Sequence, residues 1–202
     1  EAAVEAAYGR DAAALLESAR AHCLAPGGGR WAVRVECVAA RALEESTVAA
    51  AMAMTRANMR ALYQASTWGW DEEEKREELL DADALLLLAW ADVGGREVLA
   101  GFLHMRYVDE EGAAAVYCYE LQLIKQARGQ GLGRYLMLLM EHMGAAAGMA
   151  IGALTCFVEN PAIEFYRRLG YEEAAHSPEG ESYAIMEKPL ALPFAAFKHT
   201  CA

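Results

Sequence analysis

The stretch Leu121-Gln122-Leu123-Ile124-Lys125-Gln126-Ala127-Arg128-Gly129-Gln130-Gly131-Leu132-Gly133-Arg134-Tyr135-Leu136 decides the fold. An apolar strand runs into a loop that carries Gly129, Gly131 and Gly133, and an amphipathic helix begins at once. Glycines let the backbone turn with successive N–H groups on one side, which makes an anion nest. The helix N-terminus adds partial positive charge, and Arg128 and Arg134 add full charges. Two other phosphate loops do not fit. A Walker loop ends in Gly-Lys-Ser/Thr, whereas Gly133 is followed by Arg134-Tyr135; a dinucleotide fingerprint is spaced Gly-x-Gly-x-x-Gly, and here it is Gly-x-Gly-x-Gly. A glycine-rich turn that merely permits tight packing is the alternative reading.

Working outward from that loop, Ala115–Leu123 reads as the strand before it, Gly133–Ala147 as the helix after it, and Ile151–Val158 as a buried strand. Pro161 opens a further helix that Gly170 terminates, and Ser182–Glu187 is a last strand before a tail with Pro189 and Pro193. Upstream, Leu85–Trp90 and Val98–Arg106 are strands joined around Gly94-Gly95. Asp71–Leu80 is a short charged helix with an acidic first turn. Residues 40–63 are helical in composition, with Met52, Met59 and Leu62 for an inner stripe, and Trp68-Gly69-Trp70 interrupts. Trp31–Val38 alternates as a first strand. Ala2 to about Ala21 favours one helix, ended by Ala25-Pro26-Gly27-Gly28-Gly29. Strands that meander and then alternate with helices make an α/β protein with a mixed sheet.

Composition narrows the function. The chain has 202 residues, one domain with extensions at typical domain sizes. At 55% hydrophobic it can bury a substantial core. A formal charge of −11 argues against a nucleic-acid binder, which needs a basic face, and suits a cationic partner. The five cysteines are scattered with no Cys-x-x-Cys pair or Cys/His cluster, so neither a metal site nor a disulfide framework is expected. No run approaches the ~18 apolar residues of a membrane span. The acidic start lacks the order of a signal peptide. The expectation is therefore a cytoplasmic and nuclear protein, a monomer without nucleic-acid or membrane partners.

Arg128-x-x-Gly131-x-Gly133 resembles the acetyl-CoA loop of the GCN5-related N-acetyltransferase (GNAT) superfamily. Glu159-Asn160-Pro161-Ala162-Ile163-Glu164-Phe165-Tyr166-Arg167-Arg168-Leu169-Gly170-Tyr171 is similar to that superfamily's closing motif, with Asn160 one place late. The resemblance implies a single GNAT-type domain over residues 31–190, a mostly antiparallel mixed sheet with helices on both faces, an N-terminal helical extension (1–30) and a C-terminal tail (191–202). It implies acetyl-CoA as cosubstrate, without a metal. The cofactor residues it implies are Leu121, Gln122, Leu123, Arg128, Gly129, Gln130, Gly131, Leu132, Gly133, Arg134, Asn160 and Tyr166.

Three further stretches resemble one family within it, N-terminal acetyltransferase D (NatD). They are Leu62-Tyr63-Gln64-Ala65-Ser66-Thr67-Trp68-Gly69-Trp70, Glu74-Lys75-Arg76-Glu77-Glu78 and Val116-Tyr117-Cys118-Tyr119-Glu120-Leu121-Gln122-Leu123. This resemblance implies acetyl transfer to the free α-amine of histone 4 and histone 2A, whose tails begin Ser-Gly-Arg-Gly. An α-amine has a pKa of ~7.7–8.0, so a proton acceptor is needed near neutrality, and a carboxylate at hydrogen-bond reach is suitable. The family pattern puts that role on Glu120, beside Tyr119. Strict alternation sends Tyr117 and Tyr119 to the face opposite Glu120, so the strand must bulge or splay. Tyr63, Trp68, Tyr117, Thr155 and Tyr183 match substrate-pocket positions. Val108 stands where the family has a peptide-binding Asp, and Asp109 follows as the candidate; Glu110 and Glu111 extend an acidic cluster for the tail's Arg. Cys118 has no adjacent His or Lys to activate it, so direct transfer in a ternary complex is expected over an acyl-cysteine. Action on a lysine side chain or a small amine, and a non-catalytic histone-tail module, remain the rival readings.

Overall fold

The computed structural model describes residues 1–20 and 32–190. The expected stop at Ala25–Gly29, the join between extension and domain, and the tail from residue 191 lie outside the described residues, as does Trp31. The elements are α1 (Ala2–Tyr8), α2 (Ala12–Arg20), β1 (Val33–Ala39), α3 (Glu45–Ala65), α4 (Glu72–Leu79), β2 (Leu85–Asp92), β3 (Glu97–Glu110), β4 (Ala113–Leu123), α5 (Leu132–Ala147), β5 (Ile151–Phe157), α6 (Ala162–Arg168), β6 (Glu172–Glu173) and β7 (Tyr183–Pro189). They form a seven-stranded sheet in the order β1-β2-β3-β4-β5-β7-β6, antiparallel except for the β4–β5 pair. The expected α/β class with a mostly antiparallel mixed sheet is borne out.

Local chemistry explains most boundaries. Asp71 caps α4, accepting from the N–H groups of Glu73 and Glu74. The single helix expected over residues 2–21 is two. Gly9 ends α1, and Asp11 starts α2 afresh by accepting from the Ala13 N–H at 2.9 Å. The helix expected from Ala40 opens instead as a 3-10 turn, Ala40–Ala42, before α3 begins at Glu45. Its inner stripe is Val48, Ala51, Met52 and Thr55, while Met59 and Leu62 are half-buried. The two-residue β6 carried no alternation to read and was not expected.

Two cores flank the sheet. On one face α5 is buried nearly all round and packs with α1, α2, and the sheet residues Leu87, Leu103, Met105, Val116 and Cys118. Gly144 permits that approach, since a Cβ there would fall 2.9 Å from the Val116 Cβ. On the other face α3 and Leu79 of α4 cover Leu86, Leu88, Leu99 and Phe102. No helix of the described residues is long and apolar enough to cross a membrane.

The feature that makes the site lies in β4. Its ladder with β3 pairs Glu120 with His104 but Cys118 with Met105, leaving Tyr119 as an extra residue, a β-bulge. Before the bulge Val116 and Cys118 lie in the α5 core; after it Leu121 and Leu123 pack there, so alternation has changed parity. Tyr117, Tyr119, Glu120 and Gln122 all line the opposite side. The parallel ladder with β5 stops at Cys118–Leu154, so the two strands diverge immediately beyond it.

Candidate active site

A cleft of about 1290 Å³ runs from the glycine loop, past the divergence of β4 and β5, to the β3–β4 turn. Glu120 is its buried carboxylate, 7% exposed at the divergence. Its Oε2 accepts from Gln122 Nε2 at 2.6 Å and its Oε1 from Lys75 Nζ at 3.4 Å. Burial raises the Glu120 carboxyl above the ordinary carboxylate range, and the Lys75 ammonium and the Gln122 amide oppose that rise. Burial alone would lower Lys75; Glu120, Tyr63 and Glu78 outweigh it and raise the ammonium above its usual value. Lys75 Nζ also donates to Glu78 at 3.1 Å and lies 4.5 Å from the centre of the Tyr63 ring.

Aromatic rings wall this end of the cleft. Tyr63 meets Phe157 edge-on at 5.0 Å and Trp68 at 6.0 Å. The Tyr117 and Thr155 hydroxyls share a hydrogen bond of 2.5 Å, and burial pushes the Tyr117 phenol up to about 12. Tyr119 is held between His104, stacked at 5.1 Å, and the Arg106 guanidinium at 4.3 Å. Arg106 also pairs with Asp81 and donates to the Glu78 carbonyl, which ties the end of α4 to β3.

At the other end Gly129 and Gly131 take positive φ, 72° and 84°, and Gly131 opens α5 with no side-chain cap. The first N–H groups of a sixteen-residue helix are therefore not spent on a side chain. Arg128 and Arg134 line the same end. Such a cradle fits a diphosphate, and the β4 backbone beyond the end of its ladder with β5, at Leu121 and Gln122, fits an extended amide-bearing arm. The group these residues fit is acetyl-CoA. Among the described residues no group of three or more His, Cys, Asp or Glu is placed to hold a metal ion.

The cleft brings together Tyr63, Trp68, Asp109, Tyr117, Tyr119, Glu120, Leu121, Gln122, Leu123, Arg128, Gly129, Gly131, Gly133, Arg134, Thr155, Asn160 and Tyr166. Three expected residues do not line the cleft: the Tyr183 ring packs 4.6 Å from Trp68, the Leu132 side chain is buried in the α5 core, and the Gln130 side-chain amide donates to the Gln126 carbonyl. Asp109 lines the cleft rim but accepts from the Gly112 N–H to shape the β3–β4 turn. Asn160 starts α6 by accepting from the Ala162 N–H at 3.0 Å. Cys118 is 3% exposed, and burial pushes its thiol up, which keeps it protonated and a poor nucleophile. Tyr166 is buried and held well above its ordinary value by desolvation, so it carries its proton at neutral pH.

Sequence reasoning assigned no role to Asn58, Lys75 or Glu78, all of which line the cleft. The signal for Lys75 was present: one lysine inside the acidic run of α4. Asn58, a weak helix former in mid-helix, was the comparable signal on α3.

Residues 83–173 match the sequence profile of the acetyltransferase (GNAT) domain. Solved structures of similar fold include an acetyltransferase of the GNAT family from Listeria monocytogenes, at 16% identity, covering 83% of this chain and 99% of that one, TM-score 0.56. The PaiA N-acetyltransferase from Thermoplasma acidophilum, solved in complex with coenzyme A, is 18% identical over 78% of this chain and 99% of its own, TM-score 0.56. The ribosomal-protein-S18-alanine N-acetyltransferase from Escherichia coli is 20% identical over 80% of this chain and 97% of its own, TM-score 0.53. At these identities what they share with this chain is the fold. The match to the acetyltransferase (GNAT) domain spans residues 83–173, with Glu120 and the glycine loop inside it.

Proposed function

We propose that this acetyltransferase modifies the free N-terminal α-amine of a protein, with the Ser-Gly-Arg-Gly tails of histone 4 and histone 2A as substrates. The observation that carries the reading is the position of Glu120: a buried carboxylate midway along a cleft that Tyr63, Trp68, Tyr117 and Tyr119 also line. Aromatic walls with hydroxyl tips suit a Ser-Gly terminus better than a bulky first residue. The matches to the NatD pattern at these positions support the same reading, as does the chain's excess of acidic residues for a basic tail. We propose further that the enzyme acts as a monomer in the cytoplasm and nucleus.

Acetyl-CoA supplies the activated acetyl group. The chain's residues do the rest. Arg128, Arg134 and the amides at the start of α5 hold the diphosphate. Glu120, whose ionised form Lys75 and Gln122 favour against its burial, takes the proton that an α-ammonium must lose before it attacks. Tyr117 and Thr155 orient the first residues of the peptide by hydrogen bonding. Asp109 and Glu110 at the cleft rim receive the third-position Arg. The Tyr166 hydroxyl, protonated at neutral pH, is the donor for the departing thiolate.

The deciding experiment is acetyl transfer to a Ser-Gly-Arg-Gly peptide with a free or a blocked α-amine, beside a peptide whose only amine is a lysine side chain. Turnover confined to the free α-amine is expected. Equal turnover on the blocked peptide carrying lysine moves the assignment to lysine, and no turnover on either leaves a binding module.

A further inference from the structure

We propose that Asn58 is a positioning residue that couples the diphosphate-binding Arg128 to the carboxylate of Glu120 through the side chain of Gln122. The inference rests on the reading of Glu120 as proton acceptor given above. Its basis is an unbroken chain of hydrogen bonds across the floor of the cleft. Arg128 Nη2 donates to Asn58 Oδ1 at 2.5 Å; Asn58 Nδ2 donates to Gln122 Oε1 at 2.9 Å; Gln122 Nε2 donates to Glu120 Oε2 at 2.6 Å. Asn58 Nδ2 donates also to the Leu123 carbonyl at 3.2 Å, which anchors the amide to β4.

The polarity of this chain is fixed at its basic end. A guanidinium only donates, so Asn58 must turn its oxygen to Arg128 and its NH₂ to Gln122. Gln122 must then accept through Oε1, which leaves its NH₂ facing Glu120. Were either amide reversed, two donors or two acceptors would meet. A carboxylate that is offered a donor is favoured in its ionised, proton-accepting form. Both bonds from Arg128, to Asn58 and to the Leu123 carbonyl, leave from Nη2. Its Nε and Nη1 donors are thus left for a phosphate while the relay stays intact. Fixing Arg128 on a diphosphate therefore fixes the orientation of the group that holds Glu120 ready. Cofactor occupancy and readiness of the base become linked, and by reciprocity ionisation of Glu120 strengthens coenzyme binding by the same factor.

Asn58→Ala tests this against the other groups that face Glu120: Lys75 and Glu78 from α4, Tyr63 from α3, Tyr166 from α6, His104 from β3 and Cys118 on its own strand. In the variant, kcat/KM is expected to fall roughly ten- to a hundredfold, the worth of a lost hydrogen bond to a charged group. The acid limb of its pH profile is expected to move to higher pH. The pH dependence of coenzyme A affinity across that limb, present in the wild type, is expected to disappear. A wild-type acid limb overturns the proposal, and so does an unchanged pH dependence of coenzyme A affinity. In the wild-type protein, whose folding is not at issue, saturating coenzyme A is expected to shift the side-chain amide NMR signals of Asn58 and Gln122; unmoved signals overturn it equally. Glu120→Gln separates this from the underlying reading: wild-type turnover there removes Glu120 as the base, whatever Asn58 does.

Discussion

The hydroxyl of Tyr8 makes both hydrogen bonds that a neighbouring strand would make to the backbone of Tyr107. It accepts from the Tyr107 N–H and donates to the Tyr107 carbonyl, each at 2.9 Å, and the two rings meet edge-on at 5.3 Å. The β2–β3 ladder ends at Leu85–Met105, so Tyr107 lies just past the last pair. A single phenol thus completes the sheet edge and pins α1 to it, while Leu15, Leu16 and Ala19 of α2 enter the α5 core. Burial pushes the Tyr8 phenol up to about 12, so it keeps its proton, and with it the donated bond, across the ordinary pH range.

Tyr8→Phe keeps the ring and deletes both bonds, leaving a buried backbone donor and acceptor unpaired. Stability in urea is expected to fall by about 1–3 kcal/mol, with kcat/KM of the folded enzyme unchanged. Equal denaturation midpoints would show the edge to be satisfied by solvent.

Glu120→Gln preserves shape but cannot take a proton, and its one amide oxygen accepts from only one of the two donors, Lys75 and Gln122, that meet the carboxylate. Turnover is expected to fall on the order of 10²-fold or more, with peptide affinity measured by calorimetry largely kept. A loss confined to affinity would mean that Glu120 binds and does not catalyse.

Lys75→Met removes the cation that opposes the burial of Glu120. With the ammonium gone the Glu120 carboxyl rises further, so it stays protonated to a higher pH and cannot accept from the amine. The acid limb of kcat/KM is expected to move to higher pH, and activity near pH 6 to fall more than activity near pH 8. A limb that stays in place would show that Lys75 does not act on Glu120.

His104 is fully buried beside Arg106, with Nδ1 unpartnered, and desolvation lowers it to about 3. The unfolded chain, with an ordinary histidine near 6.5, takes up a proton that the folded one refuses. Stability present above that pH is therefore lost as pH falls from about 6.5 towards 3, by up to ~1.4 kcal/mol per pH unit. His104→Gln is expected to flatten that part of the stability profile in urea titrations; an unchanged slope would place the acid sensitivity elsewhere.

What the sequence made legible was local. The glycine loop, the Asp71 cap and the Pro161 start are each written within a few adjacent residues. So is the conflict between alternation and the grouping of Tyr117, Tyr119 and Glu120, which called for the bulge now seen at Tyr119. What stayed hidden depends on distant partners. Asn58 meets Arg128 across 70 residues of chain and Lys75 meets Glu120 across 45, and neither helix pattern names its partner. Tyr183 shows the converse: its match to a pocket position was legible, but its ring packs against Trp68 and does not line the cleft. The break at Gly9 was local too, yet the surrounding alanines outweighed one glycine in a reading by composition.

Tyr119 acts as a seam between two halves of β4 that run in opposite phase. Excising it would join them without turning any other side chain over: Cys118, Leu121 and Leu123 would keep to the α5 side, Glu120 and Gln122 to the other. Excising a residue on either side of the seam, Val116 for instance, would put one half out of phase with its own core. A shortened protein lacking only Tyr119 could thus pack normally and still lose the local twist that opens the gap beside β5. Length at this one position separates the ability to fold from the ability to react.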